Sequence, residues 1–324
     1  MQELFITNGD VVGDSLRQAY PEVVVLPWQD VLHEGPVPMT ADPIELSYVR
    51  ARYLNAKWGV HAGTDFGARE GMFGDISDFE RIGLWFEHDL YDQLQLLQVL
   101  DRLSVDRPTK ELFLVQADDY LGLYGPDKIG AWLDRAEQVT PAQFDTAEVA
   151  WHAFRQDSPE AWFSLLDKDL SALPYLATAV LRMLEELPSE QDGLSRTERH
   201  ILEMVDKGHI QPNKMFKAYQ DCEEAQFMGD WSFFDRLNSL ATVDEPLLRT
   251  DTDVTFTPGL GGEALQTYLG TRYQLTNFGQ AVLAGDQDHA QSNIIDFWWG
   301  GTYVTNENLW RWDGVEQALK SQVQ

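Results

Sequence analysis

The sequence predicts an α/β protein: an N-terminal open parallel sheet of the Rossmann or flavodoxin type, a mostly helical connector and a winged-helix-like C-terminal domain. Two observations predict the sheet. Short apolar runs alternate with stretches of helical periodicity in the first part of the chain, and polar residues follow each apolar run. Three predicted helices, the first of them opened by a capping-box pattern, are followed by two strand-like segments, and this order predicts the last domain. We expect domain limits at residues 1–138, 139–190 and 191–324.

Length and charge restrict the classes of function. The chain has 324 residues, 44% of them hydrophobic, and 53 acidic residues against 24 basic ones give a net charge of -29. A field of that sign repels phosphate backbones, which disfavours nucleic-acid partners. Cys222 is the only cysteine, so an intrachain disulfide and a cysteine-based zinc site are excluded. Without a basic leader or a long apolar run, we expect a cytoplasmic protein that does not bind membranes.

The first strand, at residues 3–7, leads into a glycine-containing turn and then a helical segment at residues 16–20. Gly9 and Gly13 would let the backbone approach a ligand, and free N–H groups at the helix start suit phosphate. Asp10 has the wrong charge for phosphate unless a cation or a hydroxyl also binds. The turn lacks the dinucleotide fingerprint and the Walker lysine. A plain glycine turn capped by Asp or Ser is the alternative.

A second strand at residues 22–26 ends in a proline-rich loop that carries Asp30, His33 and Glu34. A histidine beside a carboxylate can transfer protons near neutral pH, while the alternative is that His33 only packs against the turn. The next segment predicts an amphipathic helix at residues 43–58. Its cations Arg50, Arg52 and Lys57 are expected in ordinary surface ion pairs, and the alternative is that one of them reaches an anionic ligand. Residues 61–78 are glycine-rich and aperiodic, which predicts a loop or a lid.

The third strand–helix unit, LWFEHDLYDQLQLL at residues 84–97, is the most informative stretch. The leucines after Asp89 recur at helical spacing, so the turn falls on Glu87, His88 and Asp89. A fourth strand at residues 112–115 also ends in polar residues. In parallel sheets such turns share the carboxyl edge, where ligands bind.

The residue types at this shared edge indicate acid–base or binding chemistry. We take His33, Glu87, His88 and Asp89 as candidate catalytic residues. The same residue types also suit a metal, but no tight ligand signature such as H-E-x-x-H is present, so a metal site is the less favoured alternative; the sequence assigns no metal ligands and identifies no cofactor. A serine nucleophile is not indicated either, because Ser15 lacks the G-x-S-x-G elbow.

Four motifs together carry a family resemblance: ITNGDVVGDSL, VLPWQDVLHEGPVP, LWFEHDLYDQLQLL and GLSRTERHIL. The chain resembles, over nearly its whole length, the bacterial family called domain of unknown function 1835 with its usual uncharacterised C-terminal partner domain. The resemblance implies no activity, and relatives that carry other residues at the positions of His33 and His88 do not support an imidazole mechanism. It implies a set of motif positions, and we take all of them except Pro36 as ligand-binding candidates. These candidates are Asn8, Gly9, Asp10, Gly13, Ser15, Asp30, Gly35, Asp89, Asp92 and Gln93.

The second half predicts helices. Thr140 is a predicted N-cap in the connector, and Ser195 with Glu198 forms a predicted capping box. Further helices are expected at residues 214–226 and from about residue 230, and strands at residues 247–249 and 273–276. The third helix has one Arg and no Lys, which favours a protein partner or a homodimer over DNA. The aromatic residues near the C-terminus are expected to pack as core rather than to stack on a ligand.

Three functions remain open from the sequence. The leading one is a small-molecule-binding or enzymatic α/β module that takes a phosphorylated or nucleotide-like compound. Its rival is a regulatory or scaffold protein, whose winged-helix-like half binds a protein partner. A DNA-binding transcription factor is the least favoured, because of the acidic charge.

Overall fold

The computed structural model of the protein describes residues 2–40, 42–105 and 111–321. The chain divides into two compact units. The first contains Met1–Leu181 and Trp298–Thr302, and the second contains Arg182–Phe297 and Tyr303–Gln324. The limit between residues 181 and 182 falls inside a helix.

A five-stranded sheet forms the centre of the first unit. Its strands are β1 (Glu3–Thr7), β2 (Val24–Pro27), β3 (Arg81–Phe86), β4 (Glu111–Gln116) and β5 (Glu137–Gln138). They lie in the order β2-β1-β3-β4-β5, and the first four are parallel while β5 is antiparallel to β4. Ile6 pairs with Leu26 on one side and with Leu84 on the other. The predicted parallel sheet is confirmed, whereas β5 is too short to leave a pattern in the sequence.

Helices and short 3-10 helices connect these strands and continue after β5. The α-helices are α1 (Asp10–Ala19), α2 (Pro43–Trp58), α3 (Ala62–Gly74), α4 (Leu90–Val105), α5 (Pro126–Ile129), α6 (Pro141–Phe154), α7 (Glu160–Phe163) and α8 (Leu176–Leu184). The 3-10 helices are Ile76–Asp78, Leu121–Leu123, Gly130–Arg135 and Ser164–Asp167. α2 has the predicted bounds because Asp42 caps it and Gly59 ends it in the left-handed conformation.

The core of the first unit lies between the sheet and its helices. Phe5, Trp85 and Phe113 are buried side chains of three adjacent strands, and Leu16 of α1 packs with them. α4 is buried along most of its length, including polar positions such as Gln98, whose side chain accepts a hydrogen bond from Trp28 Nε1 at 2.7 Å. This internal helix begins directly after the turn that follows β3.

Two predicted segments differ from the structure. The helix expected at residues 16–20 starts earlier, at Asp10, so Gly13 and Ser15 lie inside α1. Residues 61–78 are not a loop, because α3 and a 3-10 helix occupy most of them. The glycines of α3 lower its helix propensity, but Phe66 and Phe73, which lie about two helical turns apart, are buried and hold the helix against the core.

The second unit is helical with small antiparallel sheets. Its α-helices are α9 (Arg196–Asp206), α10 (Pro212–Cys222), α11 (Asp230–Thr242), α12 (Gly262–Gly270), α13 (Asn277–Leu283) and α14 (His289–Ser292). The remaining strands of the chain are β6 (Leu248–Thr250), β7 (Tyr273–Leu275), β8 (Asp296–Trp299), β9 (Thr302–Thr305), β10 (Trp310–Asp313) and β11 (Ala318–Ser321), paired as β6-β7, β8-β9 and β10-β11.

Local capping signals in the second half match the structure. Ser195 and Glu198 form the predicted capping box at the start of α9, and Thr140 caps α6 in the same way with Gln143. Three helices, α9 to α11, precede the antiparallel pair β6-β7, and α12 lies between these two strands.

Aromatic residues near the C-terminus pack as core, as predicted. Trp299 is 1% exposed, and its ring centroid lies 6.0 Å from that of Phe154 and 6.3 Å from that of Trp162. None of the helices in the described ranges has the length and apolar character that crossing a bilayer requires.

Candidate functional site

The strand order places a switch point between β1 and β3. The chain moves from β1 to β2 on one side, then crosses back so that β3 lies on the other side of β1. In open α/β sheets, ligands bind at the carboxyl ends of the two strands where this reversal occurs. Here the residues after β1 begin with Asn8, and those after β3 begin with Glu87.

The first turn of α1 is open at this edge. Gly9 is its N-cap in extended backbone, and among the described residues no side chain accepts a capping hydrogen bond from the helix start. A Cβ atom at Gly9 would meet no described atom within 4 Å. Backbone N–H groups without a side-chain cap, together with the positive end of the helix dipole, form an arrangement that binds anions.

Asp10 joins the turn after β1 to the turn after β2. Its exposed carboxylate accepts a hydrogen bond from Gln29 Nε2. Gln29 has a φ of 46°, which is unusual for a residue with a side chain. Strained backbone of this kind is found most often at functional sites, where surrounding contacts hold it.

Three carboxyl groups lie together beneath the switch point. One carboxylate oxygen from each of Glu87, Asp89 and Asp92 lies within 4.8 Å of the other two. Their exposed fractions are 5%, 3% and 1%. We call these three residues the carboxyl cluster.

Hydrogen bonds explain how the carboxyl cluster is held. Asp89 caps α4, because its Oδ1 accepts from the Asp92 N–H at 3.2 Å. Asp92 accepts from the Glu87 N–H at 2.7 Å and from Asn8 Nδ2 at 2.8 Å. Glu87 accepts from the Leu121 N–H at 2.8 Å. The cluster thus connects the segments that follow β1, β3 and β4.

Burial perturbs the acidity of all three groups. It raises the pKa of Glu87 to about 8, and the nearby Asp92 charge adds to the effect. The pKa of Asp89 also rises to about 8, first through burial and then through the Glu87 charge. Burial, followed by the Asp89 charge, raises the pKa of Asp92 well above its ordinary value. Carboxyl groups that keep a proton near pH 7 can act as general acids or hydrogen-bond donors.

The two candidate histidines occupy different surroundings. His88 is half-buried between the rings of Tyr120 and Tyr175, with centroid distances of 5.1 and 5.9 Å, and burial lowers its pKa. His33 lies 6.1 Å from the ring of Tyr91, and its Nε2 is 3.8 Å from a Glu34 oxygen. Both therefore lie near residues that follow the carboxyl ends of the strands.

Other predicted residues have structural contacts. Asp30 is fully buried and pairs with Arg50 at 2.9 Å, so the expectation of a surface ion pair for Arg50 was wrong. Gly35 has a φ of 70°, and a Cβ there would lie 2.3 Å from the Tyr53 ring. A Cβ at Gly13 would lie 3.3 Å from the Pro27 side chain, so this glycine allows α1 to approach β2.

Some residues of the edge were missed by the sequence analysis. Gln29 contacts Asp10, and the Tyr91 hydroxyl lies 3.5 Å from the Asn8 carbonyl oxygen. Gln95 donates to the Asp30 carbonyl oxygen at 3.1 Å. The helical period of α4 places Tyr91 and Gln95 on one face, four residues apart, which was the available signal.

A cavity of about 140 Å³ lies in the second unit. Its charged wall residues have partners, since Arg236 pairs with Glu198 at 3.2 Å and Glu186 pairs with Arg182 at 2.7 Å. None of the residues predicted as site candidates lines it. The carboxyl edge of the first unit is therefore the stronger candidate.

The chain matches no protein-family model and no curated protein. The resemblance to a family therefore stays a prediction, and any statement about function depends on the geometry of the site.

Proposed function

We propose that the first unit binds a small phosphorylated or nucleotide-like molecule at the carboxyl edge of its sheet, between β1 and β3. The observation that carries this proposal is the strand order β2-β1-β3-β4, which puts the reversal of the chain between those two strands. The strand order supports this binding position without reliance on any sequence motif.

The phosphate would bind at the start of α1. The backbone there is uncapped by side chains of the described residues, and Gly9 leaves room for close approach. Asp10 opposes a phosphate by its charge, but a carboxylate accepts hydrogen bonds from hydroxyl groups. A ligand with both a phosphate and sugar hydroxyls satisfies both groups, which favours a nucleotide-like compound.

The enzymatic form of this proposal assigns proton transfer to the acidic groups. Glu87 and Asp89 have raised pKa values, and His88 is half-buried beside them in sequence. Groups that change protonation near pH 7 suit acid–base catalysis. Ligand binding is the property to test first, because it can be measured without knowing which reaction is catalysed.

Filling the space at Gly9 tests the proposal. Melting temperatures would be measured with nucleotides, sugar phosphates and inorganic phosphate, for the wild type and for Gly9→Val. The φ of -177° at Gly9 is extended backbone that valine adopts, so the variant should fold. We expect a ligand to raise the melting temperature of the wild type and not that of Gly9→Val.

Gly229→Val is the matched control. Gly229 is also a glycine N-cap with no capping side chain in the described part of the chain, and a Cβ there meets open space. It belongs to the second unit, so its substitution should leave the ligand response unchanged. The proposal fails if none of these compounds stabilises the wild type, or if Gly229→Val and Gly9→Val respond alike.

We also propose a protein-interaction role for the second unit, as the winged-helix-like alternative. Its third helix, α11, carries Trp231 with 39% of its surface exposed, while its one arginine, Arg236, pairs with Glu198. An exposed aromatic residue without available cations suits a protein surface better than a phosphate backbone. Light scattering of the wild type and Trp231→Ser tests a homodimer, and a gel shift at low salt would instead support DNA binding.

A further inference from the structure

Arginine neutralises buried carboxylates elsewhere in this protein. Asp30 pairs with Arg50 at 2.9 Å, while Glu186 and Glu223 pair with Arg182 at 2.7 and 2.6 Å. Such pairing is expected, because an isolated buried charge is strongly destabilising.

The carboxyl cluster differs from these buried carboxylates in its ion pairing. Among the residues that the structure describes, no Lys or Arg forms an ion pair with Glu87, Asp89 or Asp92. The ionised cluster therefore needs a positive partner that the described side chains do not supply.

The separation of the carboxyl groups fits a metal ion. One oxygen from each group lies within 4.8 Å of the other two. Mg²⁺ and Ca²⁺ bind oxygen ligands at about 2.0–2.6 Å, so one ion can contact all three oxygens after little movement. Carboxylate oxygens without nitrogen or sulfur ligands favour these hard cations over zinc or copper.

Gln93 supplies a separate observation that points to a ligand. Its side chain is 1% exposed, and its Nε2 donates to the Glu87 carbonyl oxygen at 2.8 Å. This bond holds the amide at the turn that carries the cluster. Within the described ranges, its Oε1 is buried and has no hydrogen-bond partner. Buried amide oxygens normally have a partner, and an amide oxygen is a common ligand of hard cations.

We propose that Glu87, Asp89, Asp92 and Gln93 form a binding site for a hard divalent cation, Mg²⁺ or Ca²⁺. This inference rests on the proposed function only for the role of the ion. In the proposed function, the cation neutralises the acidic edge of the sheet, so that the phosphate of the ligand is attracted to it.

Terbium luminescence provides the test, because Tb³⁺ occupies oxygen-ligand sites and is excited by nearby aromatic rings. In sequence, Trp85 in β3 precedes the cluster by two residues and Tyr91 in α4 lies between Asp89 and Asp92. We expect one saturable Tb³⁺ per wild-type chain, displaced by Ca²⁺ or Mg²⁺. The variant Glu87→Gln/Asp89→Asn should bind at least about tenfold more weakly.

The matched control is Glu148→Gln/Asp157→Asn. It makes the same two chemical changes in the same unit at exposed positions, so its sequence has the same formal charge as that of the cluster variant. We expect its Tb³⁺ affinity to equal that of the wild type. Equal affinity in both double variants would overturn the proposal, because the ion would then bind the acidic surface.

A measurement on the wild type alone covers the case in which the cluster variant does not fold. Luminescence lifetimes in H₂O and D₂O report how many waters remain on the bound ion. A buried site predicts that most are lost, and an ion that keeps its full hydration overturns the proposal. All titrations omit phosphate and nucleotides, so failure of the ligand screen and failure of cation binding are separate results.

Discussion

Raising the pH from 6.5 to 8.5 in a chelating buffer is expected to destabilise the cation-free protein. The reason is the burial of Glu87 and Asp89, which raises the pKa of each to about 8 in the folded chain. In the unfolded chain these groups titrate near their ordinary values of 4.5 and 3.8. Between those limits the folded state holds protons that the unfolded state has released.

The sign and the size of the effect follow from proton linkage. A raised carboxyl pKa stabilises the fold fully below the unfolded value, and this contribution is lost as the pH rises through the folded value. For each proton that the folded state holds and the unfolded state has released, the free energy of unfolding falls by about 1.4 kcal/mol for each unit by which the pH rises. Because the charge on Glu87 raises the pKa of Asp89, we count one proton for the pair. The expected loss from pH 6.5 to pH 8 is about 2 kcal/mol.

The pH window is chosen to lie above the titration of the two partly buried histidines His88 and His200. Burial lowers the pKa of His88 and of His200 below 6.5, so their contribution to stability changes only below that pH. Urea unfolding followed by circular dichroism at several pH values would give the slope. Glu87→Gln/Asp89→Asn should flatten it, whereas Glu148→Gln/Asp157→Asn should not. A wild-type stability that stays constant or rises across the window would refute the reasoning.

Three further predictions concern stability. Gly35→Ala should cost more than about 1 kcal/mol in urea unfolding, because its φ is 70° and its Cβ would meet the Tyr53 ring. Arg50→Met should cost about 3–5 kcal/mol, since it removes the arginine that pairs with buried Asp30, and adding Asp30→Asn should recover part of the loss in melting temperature. Ser195→Ala should cost about 1 kcal/mol in urea unfolding, through loss of the cap of α9.

Local patterns were sufficient for most of the fold. Apolar strand runs separated by helices predicted the parallel sheet, and a proline followed by periodic residues gave the bounds of α2. α3 was missed because its glycines at positions 63, 67 and 71 hide a buried stripe that includes Phe66. Its stability comes from tertiary packing, which propensity does not measure.

The sequence predicts where the candidate site lies, but not how its side chains are arranged. Parallel strands bring their following turns to one edge, so the positions of Asn8, Glu87 and Asp89 could be predicted from the sequence. The burial and pairing of Asp30 could not be predicted, because its partner Arg50 lies twenty residues away on α2. The sequence gives no measure of burial for an acidic residue, and burial decides whether that residue is solvated, paired or perturbed.

Capping alone does not explain the carboxyl cluster. Asp89 caps α4, but Thr140 and Ser195 cap α6 and α9 in the same chain with neutral hydroxyl groups. A neutral cap performs that role without the cost of burying a charge beside two other carboxyl groups. Asp92 is different, because its two oxygens accept separately, one from the Glu87 N–H and the other from Asn8 Nδ2, and an asparagine has only one acceptor oxygen. Because a neutral residue would supply the cap at Asp89, capping does not explain why this buried position is acidic, and this is our reason for proposing proton transfer or cation binding at the switch point.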